Sequence, residues 1–223
     1  MNTIRQAFGP AVALVRRHRT AYLVLNLAFY GSIAGTMLLA TAFPELRVAA
    51  QTVTDTNNDP LNGLFVATYG VGNVFGAAAV TLFVNLIFGT VLTLTIPSLV
   101  IPFFAVVFGL LRVSAWGLLF APTGVDDLSW FIPHMITAVI EAQGYILAVL
   151  AAWIHGRMFL RPRRFDLPGR RAGYGAGLRA TLRLYPLVIA VLTVAATWEA
   201  VELIHIVPEG FLSWWMGETP VIP

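Results

Sequence analysis

Apolar positions along the chain come in five long, nearly charge-free blocks separated by short polar breaks. A helix rises about 1.5 Å per residue, so roughly 20 apolar residues cross a hydrocarbon layer about 30 Å thick. The blocks that meet this requirement cover residues 21–43, 76–94, 99–120, 131–155 and 184–207. Ile96-Pro97-Ser98 is the expected break between the second and third, and the fourth is entered through Ile132-Pro133-His134. Residues 1–20 form a leader in which Ile4, Phe8, Val12 and Val15 oppose Arg5, Arg16 and Arg19. That pattern predicts an amphipathic surface helix, interrupted at Gly9-Pro10. Ala40-Thr41-Ala42 imitates a cleavage site, but the apolar run before it is too long for a signal peptide, so a retained helix is expected.

The connecting stretches complete the architecture. Residues 44–60 read as an exposed loop, polar and turn-forming over 52–58. Residues 61–75, with Leu61, Phe65, Val66, Tyr69, Val71 and Phe75 interrupted by Gly70 and Gly72, are too apolar for a solvated loop and too short for a clean span. They read as an interfacial or re-entrant segment, so 44–75 is the outer loop of a single bundle domain over 21–207. The domain also holds an Arg-rich loop at 157–183 and is followed by an interfacial tail at 208–223. The expected fold class is all-α, a polytopic membrane bundle of about five transmembrane helices. No internal repeat supports an inverted-repeat transporter.

Composition agrees and narrows the chemistry. Hydrophobic residues make up 58% of the chain and charged residues 11%, where a soluble domain carries about 25% charged. The net charge of +3 is spread over bilayer-crossing segments, which argues against a nucleic-acid partner. There is no Cys and every one of the 14 basic residues is Arg, which removes thiolate chemistry, Schiff bases and a P-loop. No cofactor is implied.

The arginines also set an orientation. Four lie in the leader and eight between Arg157 and Arg183, while the opposite side has Arg47 alone beside Glu45, Asp55, Asp59, Asp126, Asp127, Glu209 and Glu218. Positive charge stays on the cytoplasmic side, so the N-terminus is expected inside and the C-terminus outside, in the cell inner membrane. Trp130, Trp214 and Trp215 then fall at the outer interface as aromatic anchors. The Arg-rich loop has two readings, topology with contact to anionic lipid head groups and docking of a cytoplasmic partner. Within it, Gly173 to Gly177 reads as a flexible stretch. Gly31 with Gly35 and Gly72 with Gly76 are small-residue pairs, read first as close packing within the bundle and second as a homo-oligomer face.

Ionisable groups inside spans cost roughly 2.5–3.5 kcal/mol each on insertion scales and are functional candidates. Arg112, Glu141, Glu199 and Glu202 are of this kind, and Asn85, His134 and His205 lie in the same outer half. Four helices therefore bring polar groups to one level, as a water-accessible cavity for a ligand or partner would require. Glu199, Glu202 and His205, at i, i+3 and i+6, are expected near one face. The competing structural reading has Arg112 neutralising Glu141 or Glu199. A metal reading rests on Glu202-x-x-His205, with His134 as a further candidate ligand. Di-metal bundle sites need two such motifs and only one occurs. No catalytic residue is assigned, since neither an H-E-x-x-H nor a G-x-S-x-G motif occurs.

Phe83-Val84-Asn85 with Phe88-Gly89, Ile101-Pro102-Phe103-Phe104 with Phe108-Gly109, Phe131-Ile132-Pro133-His134, and Ala195-Ala196-Thr197-Trp198-Glu199-Ala200 after Arg179–Arg183 share an order. In these stretches, over about residues 80–205, the chain resembles the stage II sporulation protein M family of integral membrane proteins. In that family the Pro-His is normally followed by Gly, with Glu four residues after the His. Met135 and Ala138 stand at those positions and the nearest Glu is Glu141. His134 and Glu199 carry over directly, Glu141 by analogy.

The resemblance implies a non-enzymatic membrane subunit that scaffolds or assembles a cell-envelope complex, with lipids and envelope or transporter proteins as partners. Two alternatives stay open. One is a permease-like transporter subunit with carboxylates and Arg112 lining a path, and the other a membrane-embedded metal-dependent enzyme using His134, Glu199, Glu202 and His205.

Overall fold

The computed structural model describes residues 2–53, 62–122, 124 and 127–208. Every regular element among them is helical, and four helices are long and apolar enough to cross a membrane. Helix α1 (Asn2–Arg17) leads into α2 (Arg19–Ala42), then α3 (Pro44–Val53), α4 (Asn62–Tyr69) and α5 (Val74–Phe83). A wide-turn stretch, Val84–Thr95, continues α5 into α6 (Ile96–Val100), so that Val74–Val100 forms one candidate span. Helix α7 (Phe104–Leu119) is apolar but shorter, and α8 (Leu128–Leu160) and α9 (Arg170–His205) are the two longest helices.

An antiparallel hairpin of α8 and α9 forms the centre, and glycine sets its spacing. A Cβ at Gly144 would stand 2.5 Å from Leu192 Cδ2, one at Gly177 would stand 2.8 Å from His155 Cα, and one at Gly173 would strike the Met158 carbonyl. The 173–177 segment is thus not a flexible loop but the first turns of α9, where absent side chains let the helices close. The expected loop at 157–183 shrinks to a 3-10 turn, Pro162–Phe165, and a few flanking residues.

Around this hairpin, α2 and α7 run side by side, with the Phe29 ring against Gly109 and Thr36 against Gly117. Phe103, at one end of α7, packs on Gly156, and Phe120, at the other, lies edge-on to His134 at 4.7 Å. Gly31 and Gly35, by contrast, are exposed and a Cβ on either would meet nothing within 4 Å. Packing within the bundle, expected for this pair, is not found.

Other sequence expectations shift for physical reasons. Pro97 does not break the second span, because it falls in the first turn of α6, where its missing N–H is tolerated. The break comes at Ile101-Pro102-Phe103, where Ile101 is extended, as a residue before proline prefers, and Phe103 takes a left-handed φ of 69°. In the wide stretch, Thr90 and Thr93 donate their hydroxyls to the carbonyls five residues back, at 2.7 and 2.5 Å.

Residues 44–53, expected as loop, form α3, tied to the end of α7 by Arg47 donating to the Ala121 carbonyl at 3.0 Å. Helix α1 runs unbroken through Pro10, which is itself exposed. The polar stretch 54–61, Asp126, and the tail with Trp214 and Trp215 lie outside the described residues.

Candidate functional site

Six of the seven residues singled out from the sequence meet inside the bundle. Asn85 comes from the wide-turn stretch, Arg112 from α7, His134 and Glu141 from α8, and Glu199 and Glu202 from α9. All but Arg112, which is half-buried, are buried, Glu202 completely. His205 is exposed and apart from them. The reason is angular: six residues along a helix is about 120° short of two full turns, so the i, i+3, i+6 series drifts off the face.

The site divides into two hydrogen-bonded groups. In the first, Glu202 spends both oxygens: Oε1 lies 2.6 Å from His134 Nδ1, and Oε2 accepts from Thr137 Oγ1 at 2.7 Å. This pairs α8 with α9 one turn after Trp130, which is itself buried, with Nε1 donating to Asp127 at 3.1 Å.

The second group is built on Tyr145, one turn after Glu141 on the same face. Its hydroxyl accepts from Arg112 Nη2 at 2.9 Å and has Glu141 Oε1 at 2.8 Å and Asn85 Oδ1 at 3.1 Å as acceptors for its single proton. The Arg112 guanidinium stands over the Tyr145 ring at 4.6 Å and near Trp116 at 5.7 Å. Gly89 makes this approach feasible, since a Cβ there would sit 2.8 Å from the Tyr145 hydroxyl and 3.0 Å from Arg112 Nη1. Arg112 thus reaches Glu141 through the tyrosine as well as by charge.

Glu199 lies within electrostatic reach of Glu141 and Glu202, and its Oε2 has no hydrogen-bond partner although the residue is only 3% exposed. A buried carboxylate oxygen left unanswered is costly. Nearby, Tyr69 of α4 bonds Thr81 at 2.7 Å. Burial first, then the charge of Glu199, raises the Tyr69 phenol far above its ordinary value, so it stays un-ionised.

Thr137, Tyr145, Tyr69 and Thr81 were not singled out from the sequence. Tyr145 was readable as the residue four after Glu141, and Tyr69 lay within the oddly apolar 61–75 segment. A separate polar ladder, also missed, joins α2 to α8. Gln143 accepts from Tyr22 at 2.7 Å and donates Nε2 to Asn26 and Tyr30, each at 2.6 Å.

Among the described residues no group of three or more His, Asp and Glu side chains is placed to hold a metal ion. His134 and Glu202 pair with each other, and His205, the third candidate ligand, is exposed. Compared with models of known families, with curated proteins and with solved structures, the chain matches none.

Proposed function

We propose that this chain is a scaffold or assembly subunit of a cell-envelope complex, a five-span protein of the inner membrane with N-terminus inside and C-terminus outside. The observation that carries the reading is a division of labour among helices. Arg112 of α7, His134, Glu141 and Tyr145 of α8 and Glu202 of α9 are turned inward and bond one another in two groups, whereas α2 turns Gly31, Gly35, Leu27 and Leu38 outward. Small residues exposed at that spacing suit close approach by another transmembrane helix, from a partner protein or a second copy.

Support for a fifth crossing comes from α7. It extends from the level of Gly156 to that of His134, most of the buried length of α8. The arginines of the leader and of the α8–α9 turn support the orientation. The resemblance to the stage II sporulation protein M family is part of the proposal and points the same way.

A permease-like subunit is the second reading, favoured by one observation, the partnerless Oε2 of Glu199 among two further carboxylates. Two substitutions separate the readings. Under the scaffold reading, Gly35→Leu removes the complex recovered from native membranes in mild detergent while the subunit stays folded, and Glu199→Gln leaves it. An intact complex in Gly35→Leu together with lost solute flux in Glu199→Gln would make the protein a transporter component instead.

A further inference from the structure

The turn joining α8 to α9 encloses a cleft of about 440 Å3, and four arginines line it: Arg161, Arg163, Arg164 and Arg170. We infer that this cleft is a binding site for a phosphate oxyanion, carried either by a lipid head group or by a small soluble phosphate. The inference is independent of the role proposed for the bundle.

Three features build the site. First, the turn is held in shape by its own backbone, with Arg164 N–H donating to the Arg161 carbonyl at 3.1 Å and Leu167 N–H to the Pro162 carbonyl at 3.2 Å. Gly173 against Met158 closes the hairpin just behind it. Second, none of the four guanidiniums has a hydrogen-bond or ion-pair partner among the described residues, where the one ion pair is that of His134 with Glu202. The four guanidiniums are exposed, so water screens part of their mutual repulsion, and a multivalent anion in the cleft relieves what remains. Third, Gly169 and Arg170, the start of the 36-residue α9, line the same cleft, and no side chain caps the free amides of its first turn. Those amides and the positive end of the helix favour an anion at this position.

The chemistry selects phosphate. Planar guanidinium forks match the oxygens of a phosphate in pairs, and several positive charges are best balanced by a group with more than one negative charge. Level also fits. Arg157 stacks on Trp153 at 4.7 Å, a pairing that suits a membrane interface, and α8 continues seven residues past Trp153 to Leu160. With Trp153 at the interface, that extension of roughly 10 Å would place the cleft among the head groups, in reach of both sources.

The test uses the full chain in lipid nanodiscs with three variants. Arg163→Gln/Arg164→Gln removes two charges from the cleft. Gly169→Leu adds bulk to the cleft's lining, beside the start of α9, without changing charge, on extended backbone with open space around it. Arg179→Gln/Arg183→Gln removes two exposed charges outside it. Pyrophosphate binding is measured by calorimetry in neutral phosphatidylcholine discs, and retention of phosphatidic acid by native mass spectrometry from mixed discs.

Each cleft guanidinium lost should weaken binding about tenfold. Gly169→Leu, by crowding the lining, should weaken it at least several-fold, and the Arg179/Arg183 variant should stay within about twofold of wild type. Cleft-dependent pyrophosphate binding establishes the site with a soluble source, and cleft-dependent retention of phosphatidic acid alone establishes it with a lipid source. Absence of both, equal loss in the Arg179/Arg183 variant, or indifference to Gly169→Leu overturns the inference.

Discussion

Helices α2 and α8 have the same mean hydropathy, 1.7 over their best window, yet 17% of that window is buried in α2 and 72% in α8. Greasiness therefore does not separate rim from centre in this protein. What differs is how small and polar residues are used. In α8, Ala142, Gly144, Ala148, Ala151 and Ala152 are buried, and His134, Thr137, Glu141 and Tyr145 bond to other helices or to one another. In α2 the polar residues Tyr22, Asn26 and Tyr30 reach α8 through Gln143, while Leu23, Leu27 and Leu38 and both glycines face outward. Membrane helices gain little from burying apolar surface against each other, since lipid is equally apolar, so close packing and hydrogen bonds decide which helix becomes central.

The sharpest way to break this contrast is steric. Gly144→Leu drives a side chain into Leu192 at the centre of the hairpin, and overpacking of that kind costs about 3 kcal/mol or more. Unfolding from mixed micelles should show that loss, while Gly35→Leu stays within about 0.5 kcal/mol of wild type. Equal effects would mean that α2 and α8 are equivalent in their packing.

Next in size is the polar centre of α8. Glu202→Ala strands His134 and Thr137 and should cost about 3 kcal/mol, the loss expected when one member of a buried pair is removed. Glu202→Gln keeps an acceptor and should cost clearly less in the same unfolding assay. A smaller effect belongs to Arg112 and Glu141, joined through Tyr145. A double-mutant cycle of Arg112→Met and Glu141→Gln should give a coupling of about 1–3 kcal/mol, and additivity would show that the two do not interact.

The smallest effect lies at the joint before α2. Burial first, then Arg17 and Arg157, hold the His18 imidazole below its ordinary value. Below the usual histidine range near pH 6.5 the unfolded chain binds a proton that the folded one resists, so stability rises with pH through that window and levels off above it. His18→Gln should flatten the slope between about pH 5 and 7, and an unchanged slope would remove His18 as its source.

Much of this architecture was legible before the structure, and the gaps have physical causes. Long apolar blocks exposed the helices that are long and apolar enough to cross a membrane, because hydrocarbon thickness acts on composition directly. Pro97 misled because proline breaks a helix only where its N–H would have been needed, and the first turn of α6 does not need it. Gly173 to Gly177 misled because glycine serves both freedom and close approach, and only the partner across the hairpin reveals which.

At the site, the intramembrane charges were readable one at a time, since each is costly alone. Their partners were not. His134 with Glu202, and Arg112 with Glu141 through Tyr145, depend on the register between helices, which a single chain of letters does not contain. His205 was placed with the group by counting residues, and the helical drift over six positions separates it.

The central claim is that ionisable groups from different helices meet inside the bundle, and the contact between His134 and Glu202 tests it most directly. The chain has four histidines, so solid-state NMR of protein in lipid, with 15N-labelled His and carboxyl-13C-labelled Glu, can resolve each ring against the glutamates. The account predicts one histidine Nδ1 strongly dephased by a glutamate carboxyl, as a 2.6 Å contact requires, with the effect lost in Glu202→Gln. A spectrum with no such pair, or one unchanged by that substitution, would contradict it.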